Sequence, residues 1–315
     1  MQQHPSYAHQ LGIPSGPAIC YSGYRAGQAP GEVYPTYQQV KEDLLLIRDQ
    51  WKYIRLYSCD MHSKTVLEVL RKEQIPIKVM LGAYIIAEEN NAGCPWGGAY
   101  EPSVLEENRK KNQEEIGRLV ALSNEYPEII FSLSVGNEAC VDWTDHMVPV
   151  ERVMEYARFV RSNTAHPVTF CENYVPWLDK LLPLAEELDF ISIHTYPVWE
   201  YKDIEESLEF TQQNFLQVAE KHPGKLIVIT EAGWTTQSNG IGIPKKNVGE
   251  AYQKIYYERL SQWCAENEVL TFFFEAFDEP WKGSEDPLEP EKHWGVFFED
   301  RKPKMVLQQT SYKGA

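Results

Sequence analysis

The sequence predicts a (β/α)8 barrel, and three observations lead there. Eight short apolar runs recur along the chain, each followed by a stretch with apolar residues at helical spacing. The run Leu226-Ile227-Val228-Ile229, bounded by Gly224 and Gly233, is apolar without alternation, as in a strand covered on both faces. No composition break, internal repeat or linker divides the 315 residues, and barrels of this kind reach that size as one domain. Strand–helix alternation implies a parallel sheet, and eight units imply closure. The alternative, an open doubly wound sheet, should carry a glycine-rich phosphate loop after its first strand. Tyr21-Ser22-Gly23-Tyr24-Arg25 has neither of the known loop patterns.

In chain order, residues 1 to 15 read as a loose tail and the remainder as one domain. Pro17 to Ser22 is the first strand. Tyr37, Val40, Leu44, Ile47 and Trp51 mark the helix after it. Tyr53 to Tyr57 is the second strand, with Val66, Val69 and Leu70 on its helix. The third runs from Ile75 to Tyr84, with Pro76 near its start, where a missing N–H is tolerated. A long connection, Ile85 to Ser103, carries Gly93, Trp96 and Tyr100; loops of this length are usually functional or disordered. Its helix has Ile116, Leu119 and Val120 on one side. Strand four is Ile129 to Val135, running into Gly136-Asn137-Glu138. Strand five is Val168 to Cys171, and strand six is Asp189 to Ile193, leading into His194-Thr195-Tyr196. Helical stripes follow each, with Val153 and Val160, Leu178 and Ala185, and Phe215 and Val218. Strand seven is the aliphatic run ending Thr230-Glu231-Ala232-Gly233-Trp234. Strand eight is Leu270 to Phe274, and a helical turn near Val306 and Leu307 closes the ring.

Composition excludes several classes. The net charge is −16, against the basic face a nucleic-acid partner requires. No apolar run approaches the ~20 residues of a membrane span. The six cysteines show no C-x-x-C spacing and the eight histidines no H-E-x-x-H spacing, so neither a metal nor another cofactor is expected. Nine tryptophans and eighteen tyrosines exceed what a core needs. Sugars, whose C–H faces stack on aromatic rings, fit that surplus. The segment Met1 to Gly12 is polar and lacks the apolar stretch of a leader peptide.

Barrels of this type carry their active sites at the C-terminal ends of the strands. Those ends hold Tyr57, Asn137, Glu138, Tyr196 and Glu231, and strand eight runs into Glu275, Asp278, Glu279, Trp281 and Lys282. Strands four and seven stand across the mouth, so Glu138 and Glu231 can face each other. Two facing carboxyls cleave a glycosidic bond: one protonates the leaving oxygen, and the other attacks the anomeric carbon or activates water. A spacing of ~5–5.5 Å retains configuration through a covalent intermediate, and ~6.5–9.5 Å inverts it. The bland alternatives are a solvated Glu231 followed by a core Trp234, core tyrosines at 57 and 196, and a structural Glu279–Lys282 ion pair.

Val135-Gly136-Asn137-Glu138 and Thr230-Glu231-Ala232-Gly233-Trp234 together resemble the paired motifs of glycoside hydrolase family 17. The resemblance covers most of the chain. It extends to Ile19-Cys20-Tyr21, to Arg55-Leu56-Tyr57 with Asp60, to Asp278-Glu279-Pro280-Trp281-Lys282, and to His293-Trp294-Gly295-Val296-Phe297. It implies a retaining β-1,3-glucan hydrolase acting on laminarin-type substrates, with Glu138 as acid/base and Glu231 as nucleophile. By the same resemblance Asn137 binds the sugar 2-hydroxyl and Tyr196 orients Glu231. Tyr21, Tyr57, Glu279 and Lys282 shape the site, and Trp234 lies beneath the sugar. The expected partner is a β-glucan oligo- or polysaccharide, met by a monomer in a secreted or periplasmic setting, with no nucleic acid and no membrane. A transglycosylase would use the same glutamates, and a glucan-binding protein without catalysis would not need both. Two departures stand out: His194 occupies a place where many relatives have Asn, and Glu275 interrupts an aromatic strand. The long Ile85–Ser103 connection can narrow one end of the groove, so cutting within chains and cutting from an end are both compatible with the sequence.

Overall fold

A computed structural model describes residues 5–308. Helix α1 (Tyr7–Leu11) precedes strand β1 (Ala18–Cys20). There follow α2 (Tyr37–Ile47), β2 (Tyr53–Leu56), α3 (Met61–Lys72), β3 (Lys78–Gly82), α4 (Pro102–Glu125) and β4 (Ile130–Asn137). The second half comprises α5 (Val150–Asn163), β5 (Val168–Asn173), α6 (Leu182–Glu187), β6 (Ile191–His194), α7 (Ser207–Lys221), β7 (Ile227–Gly233), α8 (Glu250–Asn267) and β8 (Thr271–Phe274). The eight strands form a closed barrel in sequence order, every pair parallel, with β8 returning to β1. After β8 the helical unit shrinks to a 3-10 turn, Met305–Leu307.

Local chemistry accounts for several boundaries. Thr36 and Gln39 form a capping box at the start of α2, and Asp60 accepts the Ser63 N–H at the start of α3. β3 begins at Lys78, three residues later than the apolar run, because Pro76 offers no N–H to a neighbouring strand. Gly233 has no alternative residue: a Cβ there would lie 2.1 Å from the Phe274 carbonyl oxygen on β8. The tail expected over residues 1–15 is partly structured. Residues 1–4 lie outside the described region, but α1 buries Tyr7 and Leu11, and the Tyr7 hydroxyl accepts the Gly16 N–H. Two apolar side chains in five residues give this segment enough contact to be fixed.

The barrel interior is not uniformly apolar. Arg55, Ser132, Ser134, Thr169, Ser192, His194 and Thr230 are all buried on the strands, so the core below the rim carries polar groups that need partners. The register shifts between Ser134 and Asn137 on β4, at Ile193/His194 on β6, and between Ile229 and Ala232 on β7. Such irregularities re-aim side chains. All three lie where Asn137, His194 and Glu231 leave the sheet.

Candidate active site

Glu138 follows the last residue of β4 with φ of 46°, a left-handed conformation that costs a non-glycine residue ~1–2 kcal/mol. Its N–H bonds the Cys171 carbonyl at 2.9 Å. This fixes the turn while the carboxylate remains partly exposed, at 18% for the side chain. Glu231 sits near the end of β7 and is almost fully buried. Arg55 Nη1 donates to its Oε1 at 2.5 Å, and Tyr196 Oη donates to its Oε2 at 2.5 Å. Between the two acids stands His194, whose Nδ1 lies 2.8 Å from Glu138 Oε1 and 3.4 Å from Glu231 Oε2. One oxygen of Glu138, one of Glu231 and a ring nitrogen of His194 all fall within 4.8 Å of one another.

These contacts divide the charges. Burial alone would push the Glu231 carboxyl up. The charges of His194 and Arg55, with the bonds from Tyr196 and Arg55, outweigh it and hold the group below its ordinary 4.5. Burial alone would strip His194 of its proton. Instead the Glu231 charge, a bond to Cys171 and the bond to Glu138 raise it from 6.5 to about 10. Arg55 also stays charged, its other amino group donating to Asn137 Oδ1. The Glu138–His194–Glu231 set is as compact as a metal site, and the Arg55 guanidinium brings a positive charge onto Glu231 Oε1.

A second group of acids flanks the first. Glu172 on β5 is buried, accepts the Cys140 N–H at 2.8 Å, and is raised to about 8 by burial and by the charge of Glu138. Glu291, on the 3-10 turn Pro290–Lys292, is raised to about 7 by burial, with Glu138 and Glu231 adding to the rise. Both groups feel the charge of Glu138, so carboxyls crowd this side of the site.

Toward β8, Lys282 Nζ bonds both oxygens of Glu275 at 3.0 Å and Glu279 Oε2 at 2.5 Å. Ser22 and Trp281 donate to Glu279. Glu275, which interrupts the aromatic strand, thus completes an ion cluster in which Lys282 serves two carboxylates. Burial and the neighbouring Glu279 push Glu275 well above the usual carboxylate range. Tyr57, half-buried, lies under the Arg55 guanidinium with 4.3 Å between cation and ring centroid.

The structure brings together Glu138, Glu231, Asn137, Tyr57 and Tyr196, and it places Glu279 with Lys282 in the cluster after β8. It excludes two residues. Trp234 is fully buried, its indole N–H donates to the Asn247 carbonyl at 2.9 Å, and its ring lies against Tyr256 of α8. Gly233 presses on β8, and the indole beyond it packs between the sheet and α8. Tyr21 is 1% exposed, with its hydroxyl toward Asp43 on α2 and its ring against Phe277; it supports the floor and does not line the site. Arg55 and His194, assigned no role from the sequence, are the side chains that hold the two glutamates. An arginine inside Tyr53-Ile54-Arg55-Leu56 was the available signal, since a guanidinium in a buried strand must find carboxylates.

His194 makes stability pH-dependent. A group raised from 6.5 to about 10 on folding contributes fully below pH 6.5 and loses that contribution as pH climbs through 10. Thermal denaturation from pH 6 to 10 is expected to show a steeper fall in Tm for the wild type than for His194→Asn. Parallel curves would contradict the bridging charge.

A family model for the BtgE/BtgC glycoside hydrolase domain matches residues 18–295. A glucan 1,3-beta-glucosidase from Arthroderma benhamiae is 32% identical over 127 residues, a match spanning 36% of this chain and 41% of that relative. Among solved structures, an endo-laminarinase from Formosa is 26% identical with a TM-score of 0.83, covering 96% of this chain and 88% of its own. An active-site mutant of a Rhizomucor miehei beta-1,3-glucanosyltransferase in complex with laminaritriose has the same fold. Its TM-score is 0.73 at 19% identity, over 93% of this chain and 97% of its own.

Proposed function

Since this chain belongs to the BtgE/BtgC glycoside hydrolase domain family, we propose that it is a retaining hydrolase of β-1,3-glucan. The observation that carries the proposal is the approach of Glu138 and Glu231 to within 4.8 Å. Retaining enzymes hold their carboxyls ~5–5.5 Å apart, too close for a water to lie between sugar and base as inversion requires. The names borne by the Arthroderma and Formosa relatives support the β-1,3 linkage.

In the first step a Glu231 oxygen attacks the anomeric carbon while Glu138 gives its proton to the departing glycosidic oxygen. Arg55 and Tyr196 hold Glu231 ionised and aimed. His194, already 2.8 Å from Glu138, stays bonded to the carboxylate that this transfer leaves. In the second step Glu138 takes a proton from water, the water oxygen bonds to the anomeric carbon, and the ester to Glu231 breaks. Asn137, held by Arg55, bonds the sugar 2-hydroxyl in this reading. When a sugar hydroxyl replaces the water, the same intermediate yields a longer glucan.

We also place its work outside the cytoplasm, where polymeric glucan is found. No helix of the described residues is long and apolar enough to cross a membrane.

Laminarin and a mixed β-1,3/1,4-glucan, digested separately and followed by proton NMR and product sizing over time, test the proposal. Soluble oligosaccharides should appear from laminarin with the β-anomer first. First release of the α-anomer, or no release from laminarin, would overturn it.

A further inference from the structure

Two tryptophans stand in water on neighbouring loops of the barrel rim. Trp96, in the connection between β3 and α4, is 66% exposed, and Trp143, between β4 and α5, is 40% exposed. Their ring centroids are 6.2 Å apart with planes 48° from parallel. Side chains of this size exposed side by side present an apolar patch that a folded protein otherwise covers.

The patch is rigid. The Asn91 side chain donates to the carbonyls of Asp142 and Thr144, on either side of Trp143, at 2.8 and 2.7 Å. The Tyr100 hydroxyl donates to the Asp145 carbonyl at 2.8 Å. Trp96 lies between those two anchors in its own loop, so each loop holds the other. Binding there needs little further ordering.

Its position relative to the catalytic pair is also determined. Trp143 follows Glu138 by five residues, so the two backbones are at most ~18 Å apart. Tyr84, 42% exposed and two residues past the end of β3, has its ring 5.2 Å from that of His146, three residues after Trp143. His146 in turn bonds the Asn137 carbonyl at 3.0 Å. Glu138 protonates the oxygen of the departing sugar, so the departing chain lies on the β4 side of the scissile bond. Glu231 and the Glu275–Lys282–Glu279 cluster hold the opposite side.

We propose that Trp96 and Trp143 form a platform for the leaving-group and acceptor portion of a β-1,3-glucan chain, beyond the reacting sugars. This rests on the function proposed above and adds where the far end of the chain is held. The platform keeps an acceptor near the covalent intermediate. The acceptor hydroxyl gives its proton to Glu138, its oxygen bonds the anomeric carbon, and the ester to Glu231 breaks.

Laminari-oligosaccharides of increasing length test it, with kcat/KM and product sizes measured for wild type, W96A/W143A and W96F/W143F. Wild-type kcat/KM should rise with chain length. The alanine pair should flatten that rise, losing about tenfold on the longest oligosaccharide, and give fewer products longer than the substrate. The phenylalanine pair should keep the rise, since it keeps two flat apolar faces. An alanine pair with wild-type length dependence and product pattern would overturn the platform while leaving the hydrolase intact. A wild type that cleaves none of the oligosaccharides would overturn both.

Discussion

Glu231→Ala is expected to lower turnover of laminarin by at least about 10⁴-fold, because no other group can form the covalent intermediate. The substitution leaves the buried Arg55 without its carboxylate, a loss of about 3–5 kcal/mol, so its fold is checked by circular dichroism and Glu231→Gln, which keeps an acceptor for Arg55, is measured beside it. Azide can then occupy the vacated space and attack an activated aryl glucoside directly, giving a glycosyl azide of inverted, α configuration. That product identifies the nucleophile, whereas loss of activity alone does not. A variant that retains more than a few per cent of wild-type turnover would exclude Glu231 from the role.

Glu138→Gln should produce a different pattern. On natural glucan, whose leaving hydroxyl needs a proton, the loss should be about 10²–10⁴-fold, the usual range for a general acid. With an aryl glycoside whose leaving group departs unprotonated, formation of the intermediate should proceed at close to the wild-type rate. Its hydrolysis still lacks a base, so a pre-steady-state burst followed by slow turnover is the expected trace. Equal losses on both substrates, with no burst, would place the acid elsewhere. Glu172 and Glu291 would then become the groups to test, since both titrate near neutrality and both feel the catalytic charges.

Much of the architecture was legible because it repeats. Apolar runs of strand length and stripes of helical spacing report burial directly, and eight alternations leave few topologies to choose from. The errors fell where a residue's direction depends on its neighbours. Trp234 stands three places after Glu231 at a strand end, and the resemblance put it under the sugar. Beyond Gly233, close-packed on β8, its indole packs between the sheet and α8 instead. Tyr21 was misplaced for a related reason: its hydroxyl meets Asp43, on a helix 22 residues away in sequence, and no local pattern records that pairing.

The sequence by itself determined the closed parallel barrel, the rim on which chemistry sits, and the two glutamates with Asn137 and Tyr196 beside them. Those follow from periodicity and from the rule that strand ends of such barrels carry the site. Only the tertiary structure decided the charge states. Arg55, His194 and Glu231 come from β2, β6 and β7, and a proton's place among them depends on distances of a few ångströms in a region closed to water. Coulomb interactions at that range are strong, and side chains far apart in the chain acquire them only when the barrel closes.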